Sequence, residues 1–259
     1  VARALRAHID REPWDELAVP GVIDGASLRG LQLAFPDAHE VAQTTRDYYI
    51  SLDDVRASGK DVVELLSARE RTRYRQNVRA YSALGDLVLE EPATTTDALG
   101  YLDALAELHH KTWISRGAPG SFASQPFRDY HRRLIERCFP LGWIQLLRVR
   151  AGTTTIGYQY SFLFEGRSYF YQCGYDYELG EKTAPSMLVH TLAIRHAAER
   201  GLSEYDFLAG DVEYKRRFAT TSRAMHWMSW RAPTLKMRGF QLVRDAPDRR
   251  EVLGPDRGA

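Results

Sequence analysis

Residues 168–215 read SYFYQCGYDYELGEKTAPSMLVHTLAIRHAAERGLSEYDFLAGDVEYK. The pattern is strand, irregular loop, helix, strand, then a charged turn that opens a second helix. Tyr169, Tyr171 and Cys173 alternate at period two, which gives a strand with distinguishable faces. Gly174 and Gly180 bracket a polar loop. Pro185 suits a first helical turn, where a missing N–H costs nothing. Met187, Thr191, Ile194 and Ala198 follow at helical spacing, and Gly201 stops the run. Tyr205 to Leu208 is a short buried strand. In a parallel strand–helix–strand unit the helix begins at the sheet edge, where its free amides and dipole favour phosphate or pyrophosphate.

Outward from this unit the elements become regular. Leu87 to Leu89 is a strand, and Thr94 to Trp113 an amphipathic helix whose stripe includes Leu99, Leu102, Ala106 and His109. Pro126 to Cys138 is another helix. Trp143–Val149, Thr154–Phe164 and Arg167–Gly174 are strands separated by Gly-containing turns, the spacing of an antiparallel meander. Asp211–Phe218 is a short helix and Met225–Trp230 a late strand. Upstream, Ser67-Ala68-Arg69-Glu70 has capping-box spacing, and the helix it opens carries Arg71, Arg75 and Arg79 at i, i+4 and i+8. That ridge is either a solvated, salt-bridged face or a wall for an anionic substrate.

The 259 residues suffice for one large domain. Thirty-five basic and 34 acidic residues leave a formal charge of +1, which gives no global argument for nucleic acid or an anionic membrane. Cys138 and Cys173 sit in apolar settings without a paired or metal-like pattern, as in a reducing, cytoplasmic compartment. No apolar run reaches membrane-spanning length. Residues 1–60, broken by Pro and Gly, read as an N-terminal segment lacking a complete core. Residues 61–245 form the main domain, and 246–259 a charged, frayed tail.

From residue 87 to 231 the order is β α α β β β α β α β, the element order of the GNAT acyltransferases: an α/β fold with a mixed sheet and helices on both sides. The segments SARERTRYRQNVRAYSALG (67–85), YDYELGEKTAPSMLVHTLAIRHAAERG (175–201) and YDFLAGDVEYKRRF (205–218) resemble the CelD/BcsL family of that superfamily. FemAB-type aminoacyl transferases share the architecture as two tandem halves, so residues 1–60 are either an extension packed on the main domain or the tail of a first half. The resemblance implies acyl transfer from a thioester, acetyl-CoA or another acyl-CoA, to the amine or hydroxyl of a small polar or sugar-like acceptor. No permanently bound cofactor or metal is expected. Transfer from aminoacyl-tRNA, the one role for nucleic acid, is the alternative reading, and a non-catalytic GNAT-fold module in polysaccharide production is another.

The residue roles follow from the same resemblance. Lys182, Thr183, Ala184, Ser186 and Met187 lie where these folds hold the pyrophosphate. Pro185 removes one donor there, and no Gln/Arg-x-x-Gly-x-Gly/Ala motif is present. Tyr214 falls where GNAT enzymes place the tyrosine that protonates the departing sulfur, and otherwise it packs under the sheet. Asp206 acts as base or orients Lys215, which pairs with Asp211 at i, i+4 or grips an anion. Tyr175, Glu178, Arg71 and Arg75 are the substrate-binding candidates. His109 reads as a satisfied core residue, and His190 and His196 as lacking carboxylate partners. No Gly-x-Ser-x-Gly elbow or activated cysteine points to a covalent intermediate, so transfer is direct.

Overall fold

The computed structural model describes residues 2–36, 39–180, 183–232, 234–237 and 239. In chain order the helices are α1 (Ala2–Ile9), α2 (Ala26–Ala34), α3 (Leu52–Ser58), α4 (Val62–Leu65) and α5 (Ala68–Ser82). They continue as α6 (Thr95–Ser115), α7 (Gln125–Cys138), α8 (Pro185–Glu199) and α9 (Glu213–Phe218). The strands are β1 (Glu16–Ile23), β2 (His39–Ser51), β3 (Leu87–Glu90) and β4 (Ile144–Ala151). The last four are β5 (Thr154–Phe164), β6 (Arg167–Tyr175), β7 (Glu204–Ala209) and β8 (Thr221–Arg231). The mixed α/β architecture and the order of elements from 87 to 231 are those read from the sequence.

Two compact units result, one holding residues up to Arg46 together with those from Arg223 on, the other Asp47–Ser222. In the first, β1 pairs antiparallel with β8, with an irregularity between Val19 and Val22 where Pro20 cannot donate to the ladder. Trp230, Phe35 and Met228 form its core, and the Trp230 indole N–H donates to the Phe35 carbonyl at 3.1 Å.

The second unit carries the strand order β2-β7-β6-β5-β4-β3. Strands β3 to β6 pair antiparallel, β4 to β6 as a meander, while β7 joins β6 in parallel after the α8 crossover. Two hydrophobic clusters cover the sheet. One lies under α5 and α8 and includes Leu188, Ile194 and Phe207. The other lies under α6 and α7 and includes Leu102, Leu105 and Ile135. Helix starts follow sequence chemistry. Thr94 and Asp97 form a reciprocal capping box on α6, the Ser67 hydroxyl accepts from the Glu70 amide on α5, and Pro185 begins α8.

The feature that positions the site is a divergence of β6 from β7. Their register runs Arg167↔Glu204, Ser168↔Tyr205, Tyr169↔Asp206 and stops. Both strands are bulged just beyond. On β6, Tyr160 faces Gln172 and Ser161 faces Phe170, so Tyr171 is the extra residue. On β7, Asp47 faces Ala209 and Tyr49 faces Asp206, so two β7 residues oppose Tyr48 alone. Leu208 there is left-handed, with φ of 60°, a conformation that costs a non-glycine residue about 1 kcal/mol or more. Polar contacts hold it: Asp206 Oδ1 accepts from the Leu208 amide at 2.6 Å, and Lys215 Nζ donates to the carbonyls of Leu208 (3.0 Å) and Ala209 (2.7 Å). Bulges bend strands and increase their twist. Two of them on facing strands open a slot through the sheet.

Glu91, just past β3, ties that edge to α8. It accepts from Gln145 Nε2 (2.6 Å), His196 Nε2 (2.9 Å) and Arg200 Nη1 (2.6 Å). His196 therefore does have a carboxylate partner, brought from another element that helical spacing could not reveal. The His196 hydrogen bond, with Gln145 and Arg200 adding to it against the cost of burial, holds the Glu91 carboxyl at about 2. A depressed carboxylate stabilises the fold above its unfolded value of 4.5, and that stabilisation drains away as pH falls toward 2. With the side chain 37% exposed, screening holds the effect to about 1 kcal/mol. Thermal melts of Glu91→Gln should therefore lie below wild type at pH 7 and converge with it near pH 2. A constant gap across that range would contradict the assignment.

Candidate active site

The slot opens into a cavity of about 450 Å³, with walls from both faces of the sheet. One wall is the start of α8. Ala184 is its N-cap, and the Asn77 side chain from α5 grips that residue twice. Asn77 Oδ1 accepts from the Ala184 amide at 2.9 Å and Nδ2 donates to the Ala184 carbonyl at 3.4 Å. The Thr183 amide donates to the Gly180 carbonyl and the Met187 amide to the Ala184 carbonyl. Pro185 has no N–H. Of residues 183–187, only Ser186 therefore keeps an amide without a partner among the described residues. Ala184, Ser186 and Met187 line the cavity, while Thr183 does not and turns its hydroxyl to the Gly180 carbonyl. Lys182 lies outside the described residues.

Tyr214 forms part of the same wall. Its ring stacks on His190, centroids 5.7 Å apart and planes 26° apart, and meets Phe207 edge-on. Burial pushes its pKa well above the ordinary tyrosine value, so the phenol stays a proton donor. His190 is buried, which lowers its pKa to about 3 and keeps the imidazole neutral. Gln159 Nε2 lies 2.9 Å from its Nδ1 and 3.3 Å from the Tyr175 hydroxyl, while the Tyr205 hydroxyl donates to Gln159 Oε1 at 3.1 Å. With Gln159 so oriented, Nδ1 accepts and the imidazole proton resides on Nε2. Cys173 also lines the cavity, but burial raises its thiol to about 11, with no activation as a nucleophile.

The opposite wall is α6, with His109, Thr112, Trp113 and Arg116. Helix and strand touch closely there because Gly174 has no side chain: a Cβ on it would stand 2.3 Å from the Leu105 carbonyl oxygen. His109 is 5% exposed, and its Nδ1 is buried with no hydrogen-bond partner. The satisfied core histidine expected from the sequence instead keeps a buried Nδ1 with no partner among the described residues, while its ring borders the cavity. Burial, with the charges of His110 and Arg116 adding, lowers its pKa to about 4. Arg73 and Arg217 complete the rim, and no Asp or Glu among the described residues lines the cavity.

The site is thus a slot in a mixed sheet with the start of α8 on one side and α6 on the other. Residues 68–216 match the family model described as an acetyltransferase (GNAT) domain. The chain belongs to that family. No curated protein matches it. Among solved structures the GNAT chain is similar to FemX, at a TM-score of 0.64 and 11% identity, covering 93% of this chain and 79% of that one. It is also similar to the L-PGS of Bacillus licheniformis, at 0.56 and 10%, covering 92% and 74%. A conserved protein of unknown function from Bacteroides thetaiotaomicron gives 0.53 and 12%, covering 89% and 74%. At such identities these likenesses show the shared fold.

Within the GNAT domain the residues singled out from the sequence separate into two groups. Tyr214, Tyr175, Ala184, Ser186 and Met187 converge on the cavity. Asp206 and Lys215 lie in the β7 bend described above, and burial lowers the Lys215 pKa, with Asp47 and Asp206 opposing the shift. Asp211 pairs with Arg216 at 3.1 Å and accepts from the Tyr48 hydroxyl, so the i, i+4 pairing with Lys215 gives way to an i, i+5 contact. Glu178 and Arg75 are exposed and away from the cavity. Arg71 donates to the Glu64 and Leu66 carbonyls, capping α4. On the arginine helix it is Arg73, off the i, i+4 ridge, that reaches the rim. Asn77 and Gln159 were invisible beforehand, because each acts through a partner more than thirty residues away.

Proposed function

We propose that this GNAT domain transfers an acyl group, acetyl in the simplest case, from acyl-CoA directly to an amine or hydroxyl of a small polar or sugar-like acceptor. The observation that carries the reading is the open edge of β6 beyond Tyr169, with the protonated Tyr214 in the wall of the slot. An extended donor arm bearing amide groups adds to such an edge as another strand would. The acceptor enters from the α6 side and attacks the thioester carbonyl. As the tetrahedral adduct collapses, the carbon–sulfur bond breaks and Tyr214 gives its proton to the leaving thiolate. The acceptor's proton leaves through a neutral imidazole, His109 being the one on its side, and returns to Tyr214 through solvent. High thiol pKa at Cys173 supports a direct over a covalent route.

Transfer from aminoacyl-tRNA is the second reading. It is favoured by the start of α8, where Asn77 and Pro185 leave a pyrophosphate few amides to bind. Calorimetry separates the two. Acetyl-CoA should bind saturably at one site per chain. No heat with acetyl-CoA, together with binding of a charged tRNA, would replace the first reading with the second.

A further inference from the structure

The α6 wall of the cavity has a character of its own. Trp113 presents an indole 38% exposed, with the Arg116 guanidinium 5.9 Å from its ring. Beside them stands the buried His109, whose Nδ1 has no partner. Arg73 lines the same cavity. Neither Arg73 nor Arg116 makes an ion pair with any described residue, whereas Arg217, the third arginine of the rim, is neutralised by Glu213 at 2.6 Å and Glu70 at 3.8 Å. No acidic residue among those described lines the space. Two uncompensated guanidinium groups at a concave mouth draw anions and repel protonated amines. An aromatic face flanked by arginine suits a ring that stacks while an attached carboxylate or phosphate takes the fork.

We propose that this wall is the acceptor subsite and that it takes an acceptor with a flat or sugar-ring face and an anionic substituent, a carboxylate or a phosphate. The ring lies on Trp113 and Arg116 holds the anion, with Arg73 supporting from the rim. The assignment deepens the acyl-transfer reading and depends on it for the direction of transfer. It also accounts for the lack of a carboxylate among the described lining residues: an acid there would oppose binding of the anion that Arg116 holds. The same guanidinium chemistry could serve the phosphates of the donor, so the test must tell the two sources apart.

Calorimetry on the full chain with D-glucuronate, D-glucose 6-phosphate and D-glucose as probes provides that test. Saturable binding of at least one anionic sugar is expected, with D-glucose at least about tenfold weaker. Arg116→Gln should weaken the anionic probe by about tenfold and leave D-glucose unchanged, with Arg116→Lys in between. Saturating acetyl-CoA should leave anionic-sugar binding intact. Equal affinity for neutral and anionic sugars, no binding of any probe, or an unaffected Arg116→Gln variant would each overturn the proposal. So would displacement of the anionic sugar by acetyl-CoA but not by S-acetylpantetheine, which lacks the phosphates, since the arginines would then belong to the donor. If neither thioester binds while the Arg116-dependent sugar does, the subsite stands and the acyl-CoA reading alone fails.

Discussion

Tyr214→Phe should lower kcat by about a hundredfold or more, the usual scale for losing a positioned general acid, while leaving the melting temperature nearly unchanged. The ring accounts for the packing: it stacks on His190 and meets Phe207 edge-on, and phenylalanine keeps both contacts. Only the hydroxyl goes, and no described residue bonds to it. Removing it therefore leaves no buried partner unsatisfied, which is the usual reason a Tyr→Phe change destabilises. The loss should be selective for the leaving group. A thioester with a more acidic thiol needs less help from an acid, so the defect should shrink as the thiol pKa falls. KM for acetyl-CoA should move little, because the phenol acts on sulfur only as the bond breaks. Burial keeps Tyr214 protonated far beyond neutrality, so the wild-type rate should not fall between pH 7 and 9 through its ionisation. Unchanged turnover in the variant would remove the role. Reduced turnover accompanied by a large drop in melting temperature would assign the tyrosine to packing instead.

What could be read from the sequence divides along the same line as what is local and what is not. The α8 start was legible because proline after a polar loop has one meaning in a helix, and its end because Gly201 sits at φ of 77°, where glycine is at ease. The meander was legible from turn spacing. Tyr214 was singled out through the resemblance to GNAT enzymes, which place a tyrosine in the short helix after that strand. The divergence of β6 from β7 was not legible, because a bulge is set by the neighbouring strand: nothing in YQCG or DFLA announces that Tyr171 and Leu208 will be the residues out of step. Asp206 and Lys215 show the consequence. A buried acid and a buried lysine near a site look like chemistry in one dimension, yet in three the pair supports the Leu208 bend that opens the slot. His109 misled in the opposite sense, because an apolar stripe predicts burial and says nothing about whether a ring nitrogen finds a partner. Arg116 and Trp113 gain their meaning only when α6 is laid against β6.

That contact between α6 and β6 rests on Gly174, and Gly174→Ala should be the most destabilising single-methyl change in the domain's active-site region. The added Cβ would stand 2.3 Å from the Leu105 carbonyl oxygen, 3.1 Å from its carbon and 3.0 Å from the Leu108 Cβ. These are mostly backbone atoms in the middle of a 21-residue helix, so no side-chain rotation relieves the overlap. The helix must lift, or β6 must bend away. Lifting is opposed by the packing beneath α6, where Ala98 and Leu105 are fully buried and Leu102 nearly so. Bending is opposed on the other side by Gly157 of β5, itself without room for a Cβ because the Gly174 carbonyl and the Tyr175 ring lie within 3 Å. Overpacking of this kind typically costs about 1–3 kcal/mol and occasionally more. Squeezed between two rigid elements, Gly174→Ala should fall at the upper end and lower the midpoint of urea unfolding accordingly. The functional consequence separates this reading from a general loss of stability. Displacing α6 moves His109, Trp113 and Arg116 together while leaving the α8 wall where it is. Well below the melting temperature, the folded fraction should therefore keep its affinity for acetyl-CoA and lose affinity for the acceptor. A variant as stable as wild type would mean that α6 rides further from β6 than these distances state, and the acceptor wall would then have to be redrawn.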